Sequence, residues 1–591
     1  MDNNAVAKVF ADVAVLMQAK GDNVFKVRAH SKASDAIKSL PFPITDIVED
    51  TTRMREIPGF GEAIVDKTQE LVRTGRLGLY EELLDELPDG VLELVQIPGI
   101  GPKIAVTAAN DLGIKNFDQL AASIESGEFQ SLPRISKKSA QQILRHVQMR
   151  IDQGDRIGIG PATQLATDLI AELKSRCPNE IVQIAVAGSV RRAAELVGDI
   201  NFVCSAKDES STSAIIKAFT TLPNVHEVKA QEETTASFVD TSGVGFSIKV
   251  VTAEAWPGAL VYATGSISHG TRLEDMAKDR GFELTSGGLF DSTNPGAPVE
   301  ATTEHDIYER LGLNYVPPEM REDTGEIEQA SLQDFSHIVT LDMIRGDLHS
   351  HTNWSDGRYP MEDMVAAANE HNFEYLAITD HSPSATVANG LNPDMLLAHN
   401  TAVRELSESS GVRLLTGTEM DIKPDGSLDY TDELLADLDI VIASIHSGMD
   451  QDEAKMTQRV IDAMESPHVD VICHLTARLT ERRAPVRMDV NAILEAAVRT
   501  GTVIEINASP DRLDLNAENI RRAVDLGVIF AINTDSHRTW QFNNMHFGVR
   551  TAIRGWVEVN NVINAFHYME LMAFLALPKS ERYAFNESRG Q

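Results

Sequence analysis

The sequence predicts a multidomain protein with an all-α N-terminal region, a central α+β region and a C-terminal α/β barrel. Apolar residues recur at helical spacing near the N-terminus, between short Gly/Pro turns. From about Gln164 apolar β runs such as Ile181–Ala187 join the helices. After Ile344 predicted strands such as Tyr375–Ile378 and Val412–Leu415 alternate regularly with helices. Such alternation is typical of βα units, which close into barrels.

Composition limits the classes of protein that fit. The 591 residues suggest about three to five domains, and no 18-residue apolar run predicts a membrane span. The N-terminus lacks the basic stretch and cleavage site of a signal peptide. Three scattered cysteines argue against a disulfide framework and a Cys-rich zinc site, so we expect a cytoplasmic protein. We also expect a monomer.

The net charge of −35 argues against a protein that binds DNA over its whole surface. The charge is uneven: residues 1–150 carry −3, residues 151–340 carry −15 and residues 341–591 carry −17. Contact with nucleic acid is therefore expected near the N-terminus, where it must be local.

Residues 1–150 contain a predicted helix at Ala5–Met17 and two glycine turns, Ile57–Gly61 and Ile97–Gly101. Glycines at such turns expose N–H groups at the start of the next helix, which can bind a phosphate without reading a base. The pair resembles the helix-hairpin-helix motif, although a single copy could be a plain helix connection. The expected DNA contacts are Gly59, Gly61, Gly99, Gly101 and Lys103.

A third segment, Leu132–Lys138, occupies the place of a further turn but lacks both glycines. Its Arg134, Lys137 and Lys138 could contact phosphates, or could lie on a solvated helix face.

The central region, residues 151–316, begins with a Gly-rich predicted linker, Ile151–Pro161, followed by three β runs. Ala187–Arg192 and Gly198–Asn201 resemble the GSxRR and DxD signature of family X DNA polymerases. Three other segments extend the resemblance: Phe25–Ala29, Tyr262–Ser266 and Pro317–Asp323. The resemblance implies a nucleotidyltransferase-like palm and thumb.

Nucleotidyl transfer by such a palm needs three carboxylates that hold two metal ions. Here Asp199 is the first, but Asn201 and Ser247 occupy the other two positions, and Ala263 and Gly270 depart from the nucleotide-binding turn. We hypothesise that the fold persists while polymerase activity is lost or very weak, with little Mg²⁺ or dNTP binding. The degenerate site comprises Gly188, Ser189, Arg192, Asp199, Asn201 and Ser247.

Lys67 matches the Schiff-base lysine of the lyase found in the family's animal repair members. An exposed helix lysine is the favoured interpretation, and the lyase is the alternative.

After a polar predicted linker at 317–340, residues 341–591 contain His, Asp and Glu at the ends of predicted strands. In a βα barrel this is the rim where active sites form. Nine side chains are too many for one ion, so three ions (Mn²⁺, Zn²⁺ or Fe²⁺) with shared ligands are expected. The nine are His349, His351, Asp356, His381, Glu419, His446, His474, Asp535 and His537, a set without thiolates.

These motifs resemble the PHP (polymerase and histidinol phosphatase) domain, which implies phosphoester hydrolysis. By that resemblance Glu419 bridges two ions. The three sites are completed by His349, His351 and Asp535, by His446 and His474, and by Asp356, His381 and His537. His381 is also a candidate contact of the leaving oxygen, and the residues expected to act in catalysis are His349, His351, Glu419, His381, Asp535 and Arg478.

Arg478, Arg512 and Arg538 match or adjoin basic positions near the family's site and could clamp a substrate phosphate. A rim salt bridge is an equally good interpretation.

Four functions remain open at this point. The favoured one is a DNA-repair nuclease that binds gaps, nicks or 3′ ends and trims them, with 3′–5′ exonuclease, abasic-site or 3′-phosphate activity. The alternatives are an active gap-filling polymerase with exonuclease, a binding module with a structural metal cluster, and a small-molecule phosphatase.

Overall fold

The computed structural model describes residues 3–38, 40 and 42–589. The chain forms two compact units, Met1–Gly154 with Arg482–Ala484, and Asp155–Glu481 with Pro485–Gln591. Among the described residues, no helix is both long and apolar enough to cross a membrane.

The first unit is all-α, as predicted, and its helices bury one contiguous apolar core. The predicted helix at Ala5–Met17 extends over Asn3–Lys20. Its remaining helices are Val24–Lys38, Thr51–Glu56, Glu62–Thr74, Gly78–Glu86, Val91–Leu94, Pro102–Leu112, Phe117–Glu125 and Lys137–Gln153.

The central region is an α+β palm built on a five-stranded sheet. Its middle strands, Asp199–Ala206 and Gly245–Val251, run parallel, and the other neighbours are antiparallel. The outer strands are Ile181–Ala187, Thr235–Asp240 and Val225–Gln231, and helices Ile159–Arg176, Gly188–Arg191 and Glu209–Thr220 accompany the sheet.

The predicted linker at Ile151–Pro161 contains the boundary between the two compact units, at Gly154 and Asp155, and most of it forms secondary structure. Helix Lys137–Gln153 ends within it, Ile157–Gly158 pairs with strand Leu196–Val197, and the next helix begins at Ile159. Gly160 allows a close approach, because a Cβ there would lie 2.9 Å from Pro510 Cβ, whereas Gly154 has a φ of +58° and open space around it.

The thumb follows the palm as two helices, a small antiparallel sheet and a further helix. These elements are Trp256–Thr264, Ile267–Asp279, Phe282–Thr285, Gly288–Asp291, Asn294–Pro298 and Glu304–Arg310.

The segment 317–340 is folded, which corrects the prediction of a polar linker. It contains a 3₁₀ turn at Pro318–Met320 and helix Glu326–Ala330. Arg321 is fully buried and binds Glu304, and Glu326 is fully buried against His269. Two of its charges, on Arg321 and Glu326, are therefore paired inside the protein, whereas Glu328 and Asp334 are exposed.

The C-terminal region is a seven-stranded parallel barrel whose strands follow chain order. The strands are Gly346–Asp347, Tyr375–Ile378, Arg413–Asp421, Ile440–Ser444, Val471–Ile472, Val503–Asn507 and Phe530–Asn533. Its larger helices are Met361–Glu370, Pro393–Ser409, Glu453–Glu465, Val490–Thr500, Ala517–Leu526, Met545–Arg554 and Tyr568–Ala576.

Contacts just beyond the first and last strands bring the two ends of this sheet together. Ser350 and Ser536 form a parallel bridge, and His351 N donates to Ser536 O at 2.8 Å. Alternate strand residues enter two different apolar clusters, with Tyr375 and Ala377 in one and Leu376 and Ile378 in the other. The fold class predicted from the sequence is confirmed.

Candidate metal centre

The nine predicted side chains lie together at the carboxyl ends of the barrel strands. Most follow a strand directly, as His474 follows Val471–Ile472 and Asp535 follows Phe530–Asn533. Glu419 differs, because strand Arg413–Asp421 continues past the predicted apolar run and carries it within the strand. Parallel strands end at one edge, so residues far apart in the chain converge there.

The Glu419 carboxylate lies at the middle of the cluster and is buried. Its Oε2 lies 3.4 Å from Nε2 of both His349 and His351, and 3.1 Å from His381 Nδ1. Its Oε1 lies 3.1 Å from His446 Nε2 and 2.8 Å from His474 Nε2. One carboxylate thus faces five imidazoles, which suits a bridge between cations.

The ligand atoms form tight groups whose members all lie within 4.8 Å of one another. One group joins Glu419 and Asp535 with His349 and His351, as predicted for the first site. Nε2 of His349 and Nε2 of His351 are 3.1 Å apart, close to the spacing of two nitrogens about 2.1 Å from a shared metal ion.

A second group contains the predicted third-site residues, and His351 also belongs to it. Asp356 Oδ1 lies 3.5 Å from His381 Nε2 and 3.2 Å from His537 Nε2. His446 and His474 each approach Glu419, but the remaining groups place His446 with His381 and His474 with His349 and Cys473.

The charges of the cluster stabilise one another. Burial raises the pKa of Glu419, but His381, His446 and His349 outweigh it and hold the pKa well below its usual range. Burial likewise opposes protonation of His446, yet Glu419 and Asp421 raise its pKa to about 10. The carboxylates therefore draw positive charge into a buried site.

Cys473 lies outside the predicted nine but belongs to one of these groups, with His349, Glu419 and His474. Its Sγ is fully buried, 3.5 Å from Glu419 Oε1 and 3.6 Å from His474 Nε2. Burial raises the pKa of the Cys473 thiol well above its usual value, and the neighbouring Glu419 raises it further.

Sequence reasoning missed the carboxylates that orient these imidazoles. Glu505 Oε1 lies 2.7 Å from His349 Nδ1, and Glu505 Oε2 accepts from His474 N at 2.8 Å. Asp421 Oδ1 lies 2.8 Å from His446 Nδ1. Such partners fix which ring nitrogen faces a metal. A lone Glu inside the apolar run Val503–Asn507 was the available indication, because a buried carboxylate needs a partner.

The three candidate phosphate clamps have different surroundings. Arg478 pairs with both carboxylate oxygens of Glu195 in the palm, at 2.8 and 2.9 Å, which corrects its assignment to catalysis. Arg512 Nε lies 3.3 Å from Asp535 Oδ2 and faces the cluster. Arg538 follows His537 directly and is half-buried.

The palm positions form a hydrogen-bonded set with a single carboxylate. Asn201 and Ser247 lie directly opposite each other on neighbouring strands. The Asn201 amide donates to Asp199 Oδ1 at 3.0 Å, and the Ser247 hydroxyl donates to Asn201 Oδ1. They adjoin a cleft of about 600 Å³ that Arg192, Tyr262 and Gly270 also line.

Gly188 and Ser189 form the first turn after the strand Ile181–Ala187, in helix Gly188–Arg191. A Cβ at Gly188 would lie 2.9 Å from Asn201 Nδ2, which explains the glycine.

Both glycine turns have the expected geometry. Gly59 and Gly99 have φ of +90° and +94°, and Gly61 and Gly101 precede helices Glu62–Thr74 and Pro102–Leu112 in extended conformation. Lys103 is exposed in the first turn of the second helix.

The third segment and the lyase candidate lie in the same unit. Ser136 caps helix Lys137–Gln153, and Arg134 before it has a φ of +67°. Lys67 Nζ donates to Ala63 O of its own helix at 3.3 Å. Its role in a lyase stays a prediction.

Fold and site together define a class: helix-hairpin-helix and polymerase-type regions joined to a PHP barrel. Family models match a helix-hairpin-helix domain at 1–77, a SAM-like helix-hairpin-helix tandem at 91–149, a DNA polymerase beta thumb at 259–322 and a PHP domain at 347–509.

Across 97% of the chain and 99% of the relative, the sequence is 34% identical to a DNA polymerase/3′-5′ exonuclease PolX of Bacillus subtilis. The chain belongs to the PolX family. Over 32% of the chain it is also 33% identical to a probable phosphatase of Shewanella sediminis and 34% identical to one of Yersinia enterocolitica, covering 77% and 78% of those proteins.

Proposed function

We propose that the barrel hydrolyses DNA phosphoester bonds at 3′ ends, gaps or nicks, as a 3′–5′ exonuclease, and that the palm has lost nucleotidyl transfer. The observation that supports this most is the convergence of nine His, Asp and Glu side chains around Glu419 at the barrel rim. A PolX relative whose name includes 3′-5′ exonuclease activity supports the choice of DNA.

The side chains fit divalent cations. Among the described residues, His351 Nδ1, His381 Nδ1 and His474 Nδ1 are buried without a hydrogen bond, as is Asp356 Oδ1. His381 Nδ1 lacks one although Glu419 Oε2 is only 3.1 Å away. Buried polar atoms normally find a partner, so the unbonded approach of His381 Nδ1 to Glu419 Oε2 supports a cation shared by these two atoms.

Three divalent ions fit this donor set, with Glu419 shared and the remaining eight side chains completing the sites. Bound ions would supply Lewis-acid activation of water and neutralise phosphoryl oxygens. The imidazole and carboxylate donors suit Mn²⁺, Zn²⁺ or Fe²⁺.

The chain's own groups would act on the substrate in three ways. Glu505 holds His349 so that Nε2 faces the cluster. Arg512, beside Asp535, is placed to bind a phosphate oxygen. His381 is buried, but its ring lies beside those of His446 and His537, which are 25% and 30% exposed, so it lies close to where a leaving oxygen would enter.

DNA would reach this site through the helical unit. The N–H groups at the two glycine turns bind backbone phosphates without sequence preference. The weak local charge of residues 1–150 predicts salt-sensitive binding to ends rather than a clamp on long duplex.

Loss of polymerase activity is supported by the palm hydrogen bonds. Asn201 and Ser247 satisfy each other and Asp199, which leaves one carboxylate for two ions. The probable phosphatases, which match 32% of the chain, favour one alternative, a small-molecule phosphatase.

The test uses end-labelled gapped DNA with Mn²⁺, with and without dNTPs. Wild type, His349→Ala and Asp199→Ala are compared, with His226→Ala, an exposed palm histidine, as the matched control. We expect Mn²⁺-dependent shortening from the 3′ end, lost in His349→Ala and kept in the other two variants.

Extension with dNTPs that Asp199→Ala abolishes would contradict the proposed loss of polymerase activity. Hydrolysis of small phosphate monoesters without DNA shortening would favour the phosphatase. Wild-type shortening by His349→Ala would contradict the assignment of the metal centre.

A further inference from the structure

The loop that carries Arg512 is seated on the palm as well as on the barrel. Leu513, the next residue, is buried in the palm's apolar core. Pro510 faces the palm helix Ile159–Arg176, where a Cβ on Gly160 would lie 2.9 Å from Pro510 Cβ. The position of the 509–514 loop therefore depends on the palm.

Glu195 of the palm holds this loop through Arg478. The Arg478 guanidinium binds both carboxylate oxygens of Glu195 and also donates to the Leu513 carbonyl. Glu195 is itself fixed, because its backbone carbonyl accepts from Ile159 N at 3.0 Å. A two-point pair sets the plane of the guanidinium, and with it the place of the Leu513 carbonyl.

The backbone of this region needs such support. Leu513 and Ala477 have φ of +43° and +49°, in the left-handed region that residues other than glycine rarely adopt. Strained backbone persists only where its surroundings hold it. Arg512 points from the same loop to Asp535 Oδ2, at 3.3 Å.

We propose that Glu195 is a positioning residue for phosphoester hydrolysis: through Arg478 and Leu513 it holds Arg512 against Asp535, where a substrate phosphate binds. The degenerate palm then serves the barrel as a scaffold. The inference rests on the proposed function of the metal centre.

The test is Glu195→Gln in the full chain, with kcat and KM measured on bis(p-nitrophenyl) phosphate in Mn²⁺ and the unfolding midpoint recorded. Glu319→Gln is the matched control. Its carboxylate pairs with Arg550 of the barrel at 2.7 Å, outside the 509–514 loop. We expect kcat/KM to fall about tenfold in Glu195→Gln, with a raised KM, and to stay unchanged in the control.

The KM distinguishes positioning from a loss of folded protein, because partial unfolding lowers kcat and leaves KM unchanged. In an Arg512→Gln background, adding Glu195→Gln should raise KM no further, since the two residues act in series. Gly160→Ala perturbs the same loop through Pro510 and should raise KM too, even if Glu195→Gln fails to fold.

If Glu195→Gln and Gly160→Ala both had the KM of the control Glu319→Gln, the positioning role of Glu195 would be overturned. The assignment of the metal centre would stand. Additive effects of Glu195→Gln and Arg512→Gln on KM would do the same. Wild-type protein without diesterase activity, or an unimpaired His349→Ala, would overturn the proposed function itself and this inference with it.

Discussion

Replacing Glu505 by Gln should weaken metal binding without disrupting the fold. Four nitrogen atoms lie at hydrogen-bond distance from the Glu505 carboxylate. Oε1 lies 2.7 Å from His349 Nδ1 and accepts from Asn533 Nδ2 at 3.0 Å. Oε2 accepts from His474 N at 2.8 Å and from Asn507 Nδ2 at 3.1 Å. The carboxylate is acceptor-only, and it fixes the His349 proton on Nδ1 so that Nε2 can bind a cation.

A glutamine fits this position poorly in either orientation. If its oxygen faces His349, its NH₂ group meets the donors His474 N and Asn507 Nδ2. If its NH₂ faces His349, Nδ1 must accept and the proton moves to Nε2, the nitrogen that faces the cluster. We expect a 10- to 100-fold weaker affinity for Mn²⁺, or about 1.4–2.7 kcal/mol.

The assay is Mn²⁺ titration of metal-stripped protein by calorimetry, with diesterase activity followed against Mn²⁺ concentration. Glu326→Gln is the matched control, because Glu326 is equally buried and lies 2.6 Å from His269 Nδ1, in the 317–340 segment. It should lower stability and leave Mn²⁺ affinity unchanged. Wild-type affinity in Glu505→Gln would refute the orienting role of Glu505.

Three further outcomes are expected. Gly99→Ala, at φ +94° and with a Cβ 3.1 Å from Ile143, should weaken binding to gapped DNA several-fold and flatten its salt dependence in fluorescence anisotropy. Burial raises the pKa of Glu304, but Arg321 and Arg191 lower it to about 2. The ionised Glu304 carboxylate therefore stabilises the folded state fully above pH 4.5, and this stabilisation is lost as the pH falls towards 2. In urea unfolding, Glu304→Gln should therefore lose about 3 kcal/mol at pH 7 and show a flatter pH dependence below 4.5. Asn201→Asp with Ser247→Asp should add a divalent-ion site to the palm, seen as extra bound Mn²⁺ per chain, whereas an unchanged count would contradict the account of its lost acids.

Elements with a local pattern could be predicted well from the sequence. Strands Ile181–Ala187 and Tyr375–Ile378 have the predicted bounds, because their apolar runs alone define them. Strand Arg413–Asp421 is longer than its predicted run, since its last residues are polar side chains buried at the site. Most of the nine side chains are predictable because they follow apolar strands, whereas Glu419 lies within one.

What the sequence could not provide depends on contacts between distant segments. The polar segment 317–340 is folded partly because Arg321 pairs with Glu304. Glu304 lies 17 residues earlier in the chain and outside the segment, so no local pattern indicates the pair. Arg478 has the residue type of a phosphate clamp, and only the fold shows Glu195 against it. Glu505 is a single acidic residue in an apolar run. Its partner His349 is 156 residues away in the sequence, so only the fold shows the contact.

The most direct test of the account is a crystal structure of the protein soaked in Mn²⁺ and measured at the manganese absorption edge. The account predicts three anomalous peaks among the nine side chains around Glu419, and none between Asp199, Asn201 and Ser247. A palm peak with an empty barrel would contradict it.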